Sequence, residues 1–370
     1  MKKPYWLKKI FIKYYITNFF FFFITLCIKP NGTKNKVLIT EFDGIGDIIV
    51  NQKLIDLIIK KHGRESVIFL VRNNTAELID LLNYRYETYE DECHMKITKL
   101  FKVYRKLCRY NFKELYFLEF HQRYDVNKLK HSDKENKINF LKKFKFDKIY
   151  GYKNGMYESW NKKFHTVLVD PECDRIIDKV FNYAKKIDSS IKKEDLVPEL
   201  PVKTSEKSYI TVGVGTTDSS RMCSPKKLAE FLKYLIKLDG NIKIYLLGHG
   251  KRDENYSKRL IEILGKDNLI NYVSKLNLGE SAKMIADSKL YIGFDSGLYN
   301  ISYGLRKKTI GIFLEKLKSF QHNAEYVRIV VKEKDENETE IYDEYYNNKL
   351  MNEISLNSFA KAYHYFYPEK

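Results

Sequence analysis

From residue 36 onward, short continuous apolar runs alternate with longer stretches in which apolar residues recur every three or four positions. The first pattern predicts buried strands and the second amphipathic helices. KVLIT, starting at Lys36, reads as a strand. DIIVNQKLIDLIIKKHG follows as a helix with Ile48, Ile49, Leu54, Ile55 and Ile58 on its inner stripe and Gly63 at its end. SVIFLVR, ELYFLEF and KIYGY are further strands. TAELIDLL (with Thr75 as N-cap), KITKLFKVYRKLCRY and DRIIDKVFNYAKKI are further helices. The helix beginning at Lys96 sets Leu100, Val103, Tyr104 and Leu107 opposite Lys99, Lys102, Arg105, Lys106 and Arg109, so its basic side faces solvent or a membrane. Periodicity fades in the charge-rich stretch from His121 to Asp147, which reads as a loop or irregular insertion. It fades again around Pro198 and Pro201, the natural place for a domain boundary.

A second series follows. SYITVGVG, KIYLLGHG, LYIGF and KTIGIF read as strands. SPKKLAEFLKYLIKLDG is a helix with Ser224 as N-cap, Pro225 in the first turn and Gly240 beyond the end. ENYSKRLIEILG, GESAKMIADSK, SGLYNISYGLRK and the terminal NEISLNSFAKAYHYFY complete the helices. Two alternating series joined by a linker predict an α/β protein of two Rossmann-like domains with a cleft between them, over residues 34–203 and 204–348.

Residues 1–33 do not fit this alternation. Lys2, Lys3, Lys8, Lys9 and Lys13 precede an apolar run from Tyr14 to Ile28. As a helix that run is roughly 22 Å long, or about 28 Å if extended back to Ile10, against a hydrocarbon core of ~30 Å. No small-residue cleavage site follows. An N-terminal hydrophobic helix is expected, as an in-plane membrane anchor, a marginal spanning helix, or a helix packed on the domain or an overextended start. The 370 residues, 44% hydrophobic and 31% charged, are globular in composition. The formal charge of +18 suits an anionic partner such as nucleic acid, phospholipid or a phosphorylated substrate. Cys27, Cys93, Cys108, Cys173 and Cys223 are scattered without C-x-x-C pairing, which favours reduced thiols and disfavours a zinc knuckle.

Three stretches carry candidate chemistry. FDGIGD places Asp43, Gly44, Gly46 and Asp47 where a strand hands over to a helix, whose first N–H groups are unpaired and whose dipole end is positive. Ile49 stands where the dinucleotide fingerprint needs Gly or Ala, and the second strand ends in Arg72-Asn73 rather than an acid, so a nicotinamide site is disfavoured. VGVGTTDSSRMCSP ends a strand in small and hydroxylated residues, including Thr216 and Thr217, before Arg221, a residue suited to a diphosphate. FDSG puts Asp295, Ser296 and Gly297 at a helix start, which suits either a phosphate or an ordinary N-cap. There is no Walker A sequence, no D-x-D pair and no metal-type His or Cys spacing. Signatures of RNA- and DNA-binding modules are absent as well, so no nucleic-acid partner is expected.

The order of these stretches resembles glycosyltransferase family 9, the ADP-heptose:lipopolysaccharide heptosyltransferases. FDGIGD is similar to the family's GIGD turn, RMCSP to its K-x-W-P, YLLGHGKRDENYSKRL to its LLG strand with acidic helix start, and DSGLYN to its D-[ST]-G-x-x-H. The resemblance runs from about Lys36 to Phe313. Arg221 stands in place of Lys, Cys223 of Trp and Asn300 of His. The resemblance implies a GT-B fold, with an acceptor-side first domain, a nucleotide-sugar-binding second domain and a final helix at 349–370 returning to the first. It implies inverting, metal-independent transfer without a cofactor, Asp47 as base and Asp43 as the fallback. Helix-start position lowers an aspartate's pKa and burial in a cleft raises it. The donor would lie against Thr216, Thr217, Arg221, Asp295, Ser296 and Gly297, with Glu254 or Asp253 near the nucleoside. The acceptor is then a lipid-linked or anionic glycan, such as lipopolysaccharide, at the cytoplasmic face of the inner membrane. The alternative is a non-catalytic descendant that binds nucleotide or nucleic acid.

Overall fold

The computed structural model describes residues 16–17, 19–41, 44–90, 96–119, 139–152, 166–170, 176–314, 324–332, 342–343 and 347–368. Most of the stretch read as an insertion, its residues 121–138, lies outside them, as do residues 1–15 and Asp43. The chain forms two compact units: Met1–Asp47, Lys53–Glu172 and Lys179–Asp195 make the first, and Ile48–Gln52, Cys173–Asp178 and Leu196–Lys370 the second.

The first unit opens with α1, helical at residues 16–17 and 19–27. Next along the chain come β1 (Lys36–Thr40), α2 (Ile45–Val50), α3 (Gln52–His62), β2 (Val67–Arg72), α4 (Ala76–Leu81), β3 (Tyr86–Tyr89), α5 (Ile97–Leu107), β4 (Phe112–Phe117), β5 (Lys148–Tyr152), β6 (Val167–Val169) and α6 (Ile176–Lys185), with the second half of α2, Gln52 of α3 and the first residues of α6 grouping with the second unit. Its strands lie in the order β3-β2-β1-β4-β5-β6, each pair parallel. The order reverses at β1/β4, where Thr40 pairs with both Leu70 and Phe117. Leu38, Ile68, Leu70 and Leu115 pack with Leu100, Tyr104 and Leu107 of α5 in one core, so the apolar stripe of that helix faces the sheet. Lys102, Arg105 and Arg109 are exposed.

The second unit repeats the plan with β7 (Ile210–Gly213), α7 (Pro225–Leu238), β8 (Ile244–Leu247), α8 (Lys251–Leu264), β9 (Leu269–Asn271), α9 (Leu278–Asp287), β10 (Leu290–Phe294), α10 (Gly297–Gly304), β11 (Thr309–Ile312), β12 (Val327–Val330), α11 (Lys349–Asn352) and α12 (Leu356–Phe366). Its order is β12-β11-β10-β7-β8-β9, again parallel throughout. The reversal here falls at β7/β10. Ligands of such sheets bind outside the carboxyl ends of the strands at the reversal.

Several local expectations are corrected. The long helix after β1 breaks at Asn51, a residue whose amide competes for backbone hydrogen bonds. The Thr75 hydroxyl donates to the Arg72 carbonyl (3.0 Å) and makes no cap bond to α4. Ser224 does cap α7, accepting from the Lys227 N–H, with Pro225 as the first helical residue. Within 349–370, the stretch read as returning to the first domain, α12 packs on the second unit's core. Phe359 stacks on Phe231 of α7 at 4.6 Å, and Ala362 and Tyr363 join the same cluster.

The segment entering the second unit is tied down at Asp287. Ser205 and Lys207 donate their backbone N–H groups to the Ala286 and Asp287 carbonyls. The Ser205 hydroxyl (2.7 Å) and the Lys283 ammonium (2.8 Å) reach the Asp287 carboxylate, with Lys207 at 3.2 Å. Desolvation opposes ionisation of Asp287, yet these donors hold its pKa down at about 2. A depressed carboxylate contributes stability above the unfolded value near 3.9 and loses it as pH falls through the folded one. Both lysines are more than half exposed, so screening reduces the contribution to roughly 1–2 kcal/mol. Asp287→Asn should cost that amount in urea unfolding at pH 7 and progressively less between about pH 4 and pH 2. An equal loss at both ends would show that the carboxylate's charge is not what stabilises this junction.

Candidate active site

In the first unit the edge at β1/β4 is carried by the turn leaving β1. Gly44 precedes α2, and Asp47 is its third residue. The Gly44 N–H donates to Asp47 Oδ2 at 2.9 Å, so this carboxylate reaches back over the helix start as the acidic member of a capping box does. Gly44, Gly46 and Asp47 are all half-buried. The pairing of β1 and β4 runs one step further, the Leu118 N–H donating to the Thr40 carbonyl. Glu41 and Glu119, just past the two strands, are 1% and 7% exposed. The sequence reading passed over both. Their only signal is an acid directly after an apolar run, in ITE and FLE.

In the second unit the edge at β7/β10 gathers residues from two distant loops. Asp218 caps a short turn, accepting from the Ser220 N–H (3.0 Å) and hydroxyl (2.7 Å), and this turn delivers Arg221. The Arg221 guanidinium donates to Asp295 Oδ2 at 2.7 Å, the two side chains being 23% and 10% exposed. The buried Thr216 hydroxyl donates to the Asp295 carbonyl at 2.7 Å. Ser296 caps α10, its hydroxyl accepting from the Tyr299 N–H at 3.4 Å. Thus Thr216, Arg221, Asp295, Ser296 and Gly297 come together, while Thr217 is exposed on the same loop. A guanidinium has five N–H donors, so pairing with one carboxylate oxygen does not exhaust it.

Of the two acids at the start of α8, Glu254 lies towards solvent beside Lys251 (3.6 Å). Asp253 is buried. It accepts the His249 N–H at 3.1 Å and lies where a Cβ on Gly215 would overlap its carboxylate. Burial pushes the Asp253 carboxyl above its ordinary range. Tyr291 was also overlooked. Its ring lies along the face of β10, and a Cβ on either Gly213 or Gly293 would overlap its hydroxyl. Paired glycines on adjacent strands thus make room for a buried phenol beneath the β7/β10 edge.

The two other departures from the family pattern have local partners. Cys223 is fully buried, which pushes its thiol up to about 12, and its carbonyl accepts from the Tyr256 hydroxyl at 3.0 Å. Tyr256 in turn meets Phe294 edge-on at 6.1 Å. The Asn300 amide donates to the Ser296 carbonyl at 2.9 Å, bracing the start of α10.

Known proteins share this fold. A lipopolysaccharide heptosyltransferase 1 of Campylobacter coli is 28% identical over 146 residues, 39% of this chain and 41% of that protein. The match therefore spans less than half of that relative's length. E. coli ADP-heptose lps heptosyltransferase II superposes with a TM-score of 0.65 at 13% identity, over 90% of this chain and 98% of the other. The Veillonella parvula family 9 glycosyl transferase gives 0.64 at 12% identity, over 91% and 99%. E. coli heptosyltransferase WaaC, solved with ADP, gives 0.58 at 14% identity, over 80% and 92%. These likenesses establish the fold. Residues 161–345 match the sequence profile of glycosyltransferase family 9 (heptosyltransferase), and the chain belongs to that family.

Proposed function

We propose that the protein is an inverting, metal-independent glycosyltransferase that moves a heptose or related sugar from a nucleotide-sugar donor to a lipopolysaccharide or other surface-glycan acceptor. It would work at the cytoplasmic face of the inner membrane. The observation that carries this reading is the convergence of Arg221, Thr216 and the Ser296-capped start of α10 at the β7/β10 edge. A helix start and a guanidinium together suit a diphosphate. Solved relatives bound to ADP and to an ADP-linked fluoroheptose support an ADP-linked donor. In the reaction an acceptor hydroxyl attacks the anomeric carbon from the face opposite the diphosphate. The new C–O bond forms as the bond to the phosphate oxygen breaks, and that oxygen leaves with the electron pair. Asp47 takes the hydroxyl proton, and Arg221 and the α10 N–H groups stabilise the departing charge. With Arg221 supplying countercharge and no D-x-D pair in the chain, the chemistry needs no metal or cofactor.

The test is a thermal-shift screen of nucleotide sugars with a parallel assay for released nucleoside diphosphate. A donor at a hundred times its Kd should stabilise the protein by about 2.7 kcal/mol. ADP-linked heptose should shift the melting temperature and release ADP, faster with a heptose-accepting lipopolysaccharide core present. Binding without release would favour the non-catalytic descendant. A shift with nucleic acid and none with any nucleotide sugar would overturn the reading.

A further inference from the structure

Helix α1 is covered on one side only. Thr17, Phe21 and Thr25, four residues apart and so on one stripe, are buried. Phe21 meets Tyr104 of α5 edge-on at 5.1 Å. The Tyr104 hydroxyl donates to the Ile28 carbonyl at 3.1 Å. These contacts hold the stretch from Phe21 to Ile28 against α5. Its other side is apolar and open: Ile16, Phe19, Phe20, Phe22, Phe23 and Leu26 are between 48% and 61% exposed. The exposed rings touch one another edge-on, Phe19 with Phe20 at 5.6 Å and with Phe23 at 5.3 Å, and Phe22 with Phe23 at 5.7 Å. A continuous aromatic surface of this kind marks a docking face.

Charge indicates what covers it. The Lys143 ammonium lies 4.9 Å from the centre of the Phe22 ring. Lys29 sits at the end of the helix, bonded to the Thr25 carbonyl at 3.0 Å. No Asp or Glu precedes Glu41 anywhere in the sequence. A second copy of the chain seated on this face would bring lysine against lysine, whereas an anionic bilayer offers phosphates to the lysines and an apolar interior to the rings. The described part of the helix, up to residue 27, is ~18 Å long at 1.5 Å per residue. Among the described residues no helix is long and apolar enough to cross a membrane.

We propose that the outer face of α1 docks the protein on an anionic phospholipid surface. The helix lies in the membrane plane, with its phenylalanines in the headgroup–acyl boundary and Lys29 and Lys143 among the phosphates. This deepens the reading of a membrane-borne acceptor. Because docking is measured without donor or acceptor, its failure and the failure of the transferase reading remain distinguishable.

The experiment is co-sedimentation of the full chain with vesicles of phosphatidylcholine alone or with about a third phosphatidylglycerol. Wild type should bind the anionic vesicles, with weaker binding in high salt. The triple variant Phe19→Ser, Phe20→Ser, Phe23→Ser should bind at least about tenfold more weakly. These rings face away from the core, so its urea midpoint should be unchanged. In a Phe23→Trp variant the emission should shift to the blue on adding anionic vesicles and be quenched by brominated acyl chains. Failure of wild type to bind, equal binding to uncharged vesicles, or full binding by the triple variant would each overturn the proposal. So would a wild-type dimer that the triple variant converts to monomer, which would assign the face to a second copy.

Discussion

Asp47→Asn is expected to lower kcat by about a thousandfold, the middle of the range for a positioned general base, while leaving donor affinity and stability nearly unchanged. The substitution separates the two roles that this side chain's position allows. As a helix-start acceptor, Asp47 takes the Gly44 N–H at 2.9 Å, and the amide oxygen of Asn can take the same bond in the same volume. A capping role alone therefore predicts a stability loss within about 1 kcal/mol and no change in turnover. As a base, Asp47 must bind a proton, which an amide does not do at neutral pH. The discriminating set is kcat from nucleotide release, donor Kd by calorimetry and the urea midpoint, all on one preparation. Full turnover with a normal midpoint would remove Asp47 from the chemistry and leave it as a cap.

The inner strands of both sheets were legible in the sequence, and the outer ones were not. The central strands KVLIT, VIFLVR, ITVG and LYIGF are buried along nearly their whole length, and burial on both faces writes a continuous apolar run. In the two six-stranded sheets, the four strands that pattern reading missed are β3, β6, β9 and β12, their edges. They are three or four residues long and half-buried in part, as in YETY and VRIV. An edge strand packs on one side only, so its apolar signal is diluted by residues meeting water. The candidate site divides the same way. Its individual stretches are local in the chain, and each could be found beside its strand. The ion pair of Arg221 with Asp295 joins residues 74 apart, and strand order alone brings β7 beside β10. Asp253 and Glu254 are neighbours in the chain, and only the packing of α8 against Gly215 and Gly248 shows which one turns inward. The apolar run at the N-terminus was plain from composition. Which of its residues would be buried depended on Tyr104 of α5, far away in the sequence.

Arg221→Ala should raise the donor's Kd between about tenfold and a hundredfold, since a charge-assisted hydrogen bond is worth about 1.5–3 kcal/mol. It should also destabilise the folded protein, because Asp295, 10% exposed, would lose the guanidinium that compensates its buried charge. These effects have different causes, and a double variant separates them. Arg221→Ala with Asp295→Ala removes both charges, while the Asp295 backbone carbonyl still accepts the Thr216 hydroxyl. The double variant should therefore recover most of the lost stability and none of the lost affinity. Arg221→Lys keeps the charge in the form that the family's own motif uses, so it should retain most donor affinity. It would pair more loosely with Asp295, since an ammonium lacks the planar fork of a guanidinium. Calorimetric titration of donor and urea unfolding on the three variants decide the matter. Wild-type affinity in Arg221→Ala would mean that the guanidinium serves Asp295 alone, and the diphosphate site would then have to be built without it.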